Sequence, residues 1–295
     1  MLKPELNPET QQLTVEVAIT SNVAQAITSN VAQAITSNVA QAIANLRHAD
    51  TSLRYYAAWW LGKFRVQSEV AVTVLIECLE DEDDRTELGG YPLRRNAARA
   101  LGKIGDDRAV PGLIACLECS DFYVRESAAE ALGQLKDNSC IPALMKLLQG
   151  GVASAQLEPG QPHLKEPCEA VMEALGNLGA TEAVELIQPF LDHSQLKVIS
   201  SAARAMYQLT QNDTYAKILV RNLKGNDIKL RRVALRDLGD IGYLPAAEAI
   251  ATAATEGSFK LIALKGLLEH QLELEVNLPL SQKTIDLMTL MDNLI

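Results

Sequence analysis

Between Tyr55 and Trp60 the chain places four of its thirteen aromatic residues, including both tryptophans. On a helix Tyr55 and Trp59 share a face, because they stand four apart. That pair offers flat rings for contact with a ligand or a partner, while Tyr56 and Trp60 turn toward the flank, where packing is their simplest use. Four further pairs have the same spacing: Arg95 with Arg99, Glu126 with Glu130, Glu169 with Glu173, and Arg232 with Arg236. Like charges so spaced cost on the order of 0.2–0.5 kcal/mol per pair, and each pair therefore calls for opposite charge nearby. Ion pairs between neighbouring helices would supply it on a solvated face, and so would a charged ligand.

Familiar catalytic constellations are missing. His48, His163, His193 and His270 are scattered, and no nucleophile elbow, phosphate-binding loop or H-E-x-x-H run occurs. Without a His-Glu dyad the chain does not look like an iron-binding repeat enzyme. Any catalysis must come from positioning a reactive ligand. The cysteines Cys78, Cys116, Cys119, Cys140 and Cys168 are odd in number and sit mostly in apolar helical runs. They read as small core residues, and no disulfide framework or metal site is expected.

The paired residues belong to a repeat. The segments LRYYAAWWLGKF, LRRNAARALGKI, VRESAAEALGQL and LRRVALRDLGDI align without gaps, with PCEAVMEALGNL and VISSAARAMYQL as divergent copies. The glycine of each LG marks a common position, occupied by Gly62, Gly102, Gly133, Gly176, Tyr207 and Gly239. Leu61, Leu101, Leu132, Leu175, Met206 and Leu238 precede it, and Ala57, Ala97, Ala128, Ala202 and Ala234 stand five residues before. Such recurrences describe one buried helical stripe. Other amphipathic runs lie between the copies, so each unit is helix A, a turn and helix B. The expected fold is all-α, a curved HEAT-like solenoid of about six to seven helix pairs with a C-terminal helix.

Spacings of 40, 31, 43, 31 and 32 residues place two insertions in A-to-B turns, near residues 81–91 and 149–167. Loops of that length carry function in some folds, and simple tolerance of insertion accounts for them equally well. Arg54, Arg94, Arg125 and Arg231 recur at one position and are expected to form structural ion pairs. If the B helices line the inside of the curve, seven and three residues before the glycine a row faces the groove: Tyr55/Trp59, Arg95/Arg99, Glu126/Glu130, Glu169/Glu173, Ser200/Arg204 and Arg232/Arg236.

Three segments follow: 1–41 with the octapeptide AITSNVAQ in triplicate, a repeat domain over 42–271, and a capping or docking helix in 272–295. An octad drifts roughly 80° around a helix per copy, so the triplicate has no constant face to bury. A net charge of −10 without a Lys/Arg-rich block argues against nucleic acid as a partner. Neither a signal peptide nor a membrane span is discernible, and a cytoplasmic location is expected.

The run LRYYAAWWLGKFRV, continued through YPLRRNAARALGKIGDDRAV and DFYVRESAAEALG to about Gln271, resembles the E-type subunits of phycocyanin alpha-subunit phycocyanobilin lyases. The LG-centred repeat is generic to lyase-like HEAT proteins, and the run at residues 55–60 is the specific part. The triplicated octad departs from the family pattern. The resemblance implies a heterodimer with an F-type subunit that attaches phycocyanobilin, the substrate, through a thioether to a cysteine of the phycocyanin alpha subunit, with no cofactor. It also implies roles. Tyr55, Tyr56, Trp59 and Trp60 would bind the flat tetrapyrrole, Arg95 and Arg99 its propionates, and Glu126 and Glu130 would face its pyrrole nitrogens and promote the reaction. A HEAT-repeat scaffold or a bilin-detaching factor is the alternative.

Overall fold

A computed structural model describes residues 36–276 and 279–294. The first helix, α1, covers residues 36–45, so most of the triplicated octad lies outside the described residues. Seven pairs follow the A-then-B pattern in chain order. The A helices are α1, α3 (Glu69–Glu77), α5 (Val110–Cys116), α7 (Ile141–Leu148), α9 (Val184–Ile187), α11 (Asp213–Asn222) and α13 (Ala247–Ala251). Their B partners are α2 (Thr51–Lys63), α4 (Pro92–Ile104), α6 (Phe122–Leu135), α8 (Cys168–Asn177), α10 (Leu196–Thr210), α12 (Ile228–Asp240) and α14 (Gly257–Leu274). The last helix, α15 (Gln282–Asp292), packs on α13 and α14 and buries Thr284 and Leu287. Among the described residues there is no strand, only an isolated bridge between Leu157 and Leu164. The solenoid expected from the repeat is the fold observed.

Local sequence sets where the B helices begin. Asp50, Asp121 and Asp227 cap α2, α6 and α12 by accepting backbone N–H groups, and Pro92 opens α4. Successive B helices then stack through the repeated glycine. A methyl group on Gly62 would lie 2.6 Å from the Ala100 Cα, one on Gly102 2.7 Å from that of Ala131, and one on Gly133 2.8 Å from that of Ala174. Glycine is there because the backbones approach too closely for any side chain.

In α10 the glycine is replaced by Tyr207, whose ring meets Tyr243 edge-on at 5.4 Å. A ring cannot enter a contact that admits only hydrogen, and α10 packs far more loosely on α12 than the other B helices pack on their successors. The hydrophobic core divides there into two clusters, one running to Met206 and the other built on α11 to α15. Charged side chains fill the junction. Buried Arg204 reaches Asp237 at 2.9 Å, Asp240 at 3.2 Å and Glu173 at 3.8 Å, and Arg236 adds a 3.0 Å contact to Asp237.

The recurring arginines act as staples for the inserted loops. Arg54 pairs with Asp81, and Arg94 binds Glu82 and the Asp81 carbonyl. Arg125 holds Glu166 at 3.2 Å and the Lys165 carbonyl at 2.8 Å. The expected ion pairs are thus present at three positions. Arg231 differs, donating to the Gly225 carbonyl at 3.0 Å.

Candidate functional site

Residues from the end of α2 to α14 line a single hollow of about 1080 Å³, which places the B helices on the inside of the curve. Its walls come from the C-terminal halves of those helices, including Lys103, Gln134, Lys136, Asn177, Asp240 and His270. The row anticipated from sequence runs along the N-terminal halves, and of its twelve residues Arg204 alone reaches this hollow.

At the start of the row, Tyr55, Tyr56 and Trp59 are 40%, 64% and 47% exposed. Tyr56 meets both neighbours edge-on, at 6.2 Å to Tyr55 and 6.5 Å to Trp59. Trp60 is half-buried against the core with its ring 4.8 Å from Phe64. The flank assignment therefore holds for Trp60 and fails for Tyr56, the most exposed of the four. Tyr56, Trp59 and Trp60 also wall a hollow of about 340 Å³ closed on its far side by Asn38, Gln41 and Asn45 of α1. The two first B helices are tied together by Asn96, which donates to the Tyr55 carbonyl at 3.2 Å.

Arg95 lies over the Tyr123 ring at 5.0 Å, and Arg99 approaches Glu130 at 3.9 Å. Arg99 thus has a carboxylate within ion-pair range, whereas Arg95 has only the ring face, and its buried Nε has no hydrogen-bond partner. Glu126 is different. It lines a hollow of about 300 Å³ with Phe122, Tyr123, His163, Glu169 and Lys197, and it makes no hydrogen bond or close ion pair. Burial pushes its carboxyl above the usual carboxylate range, helped by the negative charge of Glu130. The inserted loop 149–167 builds the outer wall: His163 stacks on Phe122 at 4.2 Å with planes 10° apart, and Arg125 anchors the segment behind it. That loop is the contribution the sequence left undecided, and it completes the pocket at Glu126.

Beyond α6 the row is no longer continuous, although Glu169 still borders the hollow at Glu126. Glu169 pairs with Lys197, and Glu173 is drawn into the Arg204 cluster, where burial raises its carboxyl. Ser200 is buried and donates to the Leu196 carbonyl at 2.7 Å. The expectation of a continuous row through Ser200 and Arg204 is corrected here, for two reasons. Tyr207 opens the α10–α12 packing and Arg204 fills the gap, whereas Ser200 is buried against α11, where it accepts from the Asn222 amide at 2.8 Å.

Four of the five cysteines are buried and supply no nucleophile. Burial pushes the Cys116 thiol up to about 12 and those of Cys78, Cys140 and Cys168 up to about 11, so none is ionised near neutrality. No helix among the described residues is long and apolar enough to cross a membrane.

Comparison with known proteins agrees with this architecture. The HEAT repeat family matches residues 90–155, and the PBS lyase HEAT-like repeat matches residues 53–81 and 168–193. A protein of Nostoc sp. (strain PCC 7120) called phycocyanobilin lyase subunit alpha is 66% identical over 253 residues, 85% of this chain and 92% of that one. The protein of the same name from Thermosynechococcus vestitus is 62% identical over 78% of this chain and 85% of its own length. The bilin biosynthesis protein PecE of Nostoc is 43% identical over 78% of this chain and 85% of its own. Among solved structures, a chain in the complex of CpcE and CpcF of phycocyanin lyase from Nostoc superposes with a TM-score of 0.81. It is 65% identical, with 86% of this chain and 93% of that one covered. The protein described here belongs to the family of phycocyanobilin lyase alpha subunits.

Proposed function

We propose that this chain is one subunit of a heterodimeric lyase that attaches phycocyanobilin through a thioether bond to a cysteine of the phycocyanin alpha subunit. The reading is carried by Glu126, a desolvated carboxyl with no hydrogen bond or close ion pair among the described residues, in an aromatic-walled hollow within the field of Lys197, Arg99 and Arg95. The similarity to phycocyanobilin lyase alpha subunits supports it, and the solved complex of a close relative with CpcF supports an F-type partner.

In this mechanism the chain binds and orients the pigment and forms no covalent bond to it. Tyr55 and Trp59 stack on the tetrapyrrole, and Tyr56 and Trp60 border the same surface. Glu126 and Glu130 face pyrrole N–H groups and favour the protonated pigment, which makes the ethylidene carbon more electrophilic. The acceptor sulfur adds to that carbon, the exocyclic double bond becomes single, and the thiol's proton ends on the adjacent ring carbon. Nothing is oxidised or reduced. Holding the two reactants in register supplies much of the rate.

Pigment titration tests the binding half of this account. Trp59→Ala is expected to weaken phycocyanobilin binding by about 1–3 kcal/mol, the scale of a lost stacked or buried aromatic. Its helicity should be that of the wild type, since Trp59 lies outside the core. Undiminished affinity would remove the aromatic pair from the site.

A further inference from the structure

Among the described residues, three other than glycine have left-handed backbone: Arg65 at φ 48°, Lys136 at φ 60° and Gln211 at φ 55°. Arg65 and Lys136 stand three residues after the repeat glycine, the place held in other copies by Gly105 (φ 80°), Gly179 (φ 67°) and Gly242 (φ 64°). A side chain there costs free energy that glycine avoids, and such outliers collect where a side chain has a task.

For Gln211 the task is local. Its amide donates back to the Gln208 carbonyl at 3.2 Å and caps the end of α10. The side chains of Arg65 and Lys136 make no hydrogen bond or ion pair among the described residues, and only their backbone N–H groups are bonded, to the Gly62 and Leu132 carbonyls at 3.2 Å. Both line the 1080 Å³ hollow, and so does Lys103, equally unpaired, from the last turn of α4 between them. Attraction to the helix dipole accounts for a cation such as Lys103 near a helix end. It does not require a left-handed one, because a residue one turn earlier would serve. The chain carries a net charge of −10, yet three free cations from three successive B helices border the α2–α6 end of one hollow, whose carboxylates Asp240, Glu269 and Glu273 stand at the other end, on α12 and α14.

We infer that Arg65, Lys103 and Lys136 form a clamp for the carboxylates of an elongated dianionic ligand lying in the hollow, which in the lyase reading are the two propionates of the bilin. The clamp rests on that reading and extends it: Arg95 already lies on the Tyr123 ring and Arg99 beside Glu130, whereas the side chains of these three cations have no such contact. The pigment would lie across the row and the hollow, its conjugated face toward Tyr55 and Trp59 and its propionates toward the C-terminal ends of α2, α4 and α6. A volume near 1000 Å³ is at the upper end of small-molecule sites and suits a ligand of this size.

The test compares phycocyanobilin with its dimethyl ester, in which both propionates are neutral, by absorbance titration of the full-length chain. Wild-type protein should prefer the free acid about tenfold, and the preference should shrink with rising ionic strength. Lys103→Ala combined with Lys136→Ala should abolish the preference and leave ester affinity unchanged. Arg65→Gly and Lys136→Gly should each reduce the preference while Tm stays at or above the wild-type value, because glycine relieves the left-handed backbone. A double variant that keeps the full acid preference would overturn the clamp while leaving the lyase reading intact. Glycine variants with a lowered Tm would overturn it too, by assigning the side chains to the fold. Unchanged pigment selectivity with weakened binding of the F-type partner or of phycocyanin would assign the cations to an acidic protein surface instead. No pigment binding by the wild type would overturn clamp and lyase reading together.

Discussion

Glu126→Gln is expected to slow thioether formation by about a hundredfold, the low end of what one well-placed acid–base group contributes, while pigment affinity changes little. The same substitution should stabilise the protein at neutral pH. The folded-state pKa of Glu126 is raised, by burial first and by Glu130 second, so its ionised form is the disfavoured one. Stability associated with this group is fully present below the ordinary carboxylate range and lost as pH rises through the raised value. Glutamine carries no such penalty. The variant's advantage in Tm should thus be present at pH 7 and fade as the solution is acidified below the usual glutamate pKa. Glu126→Gln with wild-type ligation rate would remove this carboxyl from the chemistry, whatever its effect on Tm.

Arg204→Ala should be the most destabilising single change in the C-terminal half of the stack, at about 3–5 kcal/mol, the range for removing one partner of a buried ion pair. Asp237 is fully buried, and one of its carboxylate oxygens already lacks a hydrogen-bond donor. Without Arg204 its charge would be left with the more exposed Arg236. The weak point lies where the two hydrophobic clusters meet, so hydrogen exchange should accelerate first in α11 to α15. Replacing Arg204 and Asp237 together by Met and Leu should recover much of the loss, since it is the unpaired charge that costs. Chemical denaturation showing Arg204→Ala within 1 kcal/mol of wild type would contradict this account of the junction.

The fold could be read from sequence because its repeat is a packing device. A glycine is needed wherever two B helices touch backbone to backbone, and the alanines and leucines around it trace the buried stripe. Tyr207 was visible as the exception, but its consequence was not. Whether Arg204 faces solvent depends on how far α10 and α12 are driven apart, and periodicity carries no such distance. The candidate site divides in the same way. The aromatic cluster at Tyr55–Trp60 stood out because its counterparts in other copies are small or charged. The pocket at Glu126 needed the path of the loop over residues 149–167, which Arg125 fixes through the Lys165 carbonyl and Glu166. A signal for the clamp was present: Arg65 and Lys136 align with Gly105, Gly179 and Gly242. Residues paired four apart do not report on it, because the helix ends lie outside the face they define.

The central claim is that this chain takes part in covalent pigment attachment, and co-expression tests it most directly. The chain, an F-type partner, the phycocyanin alpha subunit and the enzymes that make phycocyanobilin would be produced together, and covalently bound pigment on the acceptor measured after denaturation. The account predicts pigmented alpha subunit when both lyase chains are present, and little or none when either is left out. An acceptor that stays unpigmented with both chains present, or pigmented acceptor that loses its bilin when they are added, would contradict it.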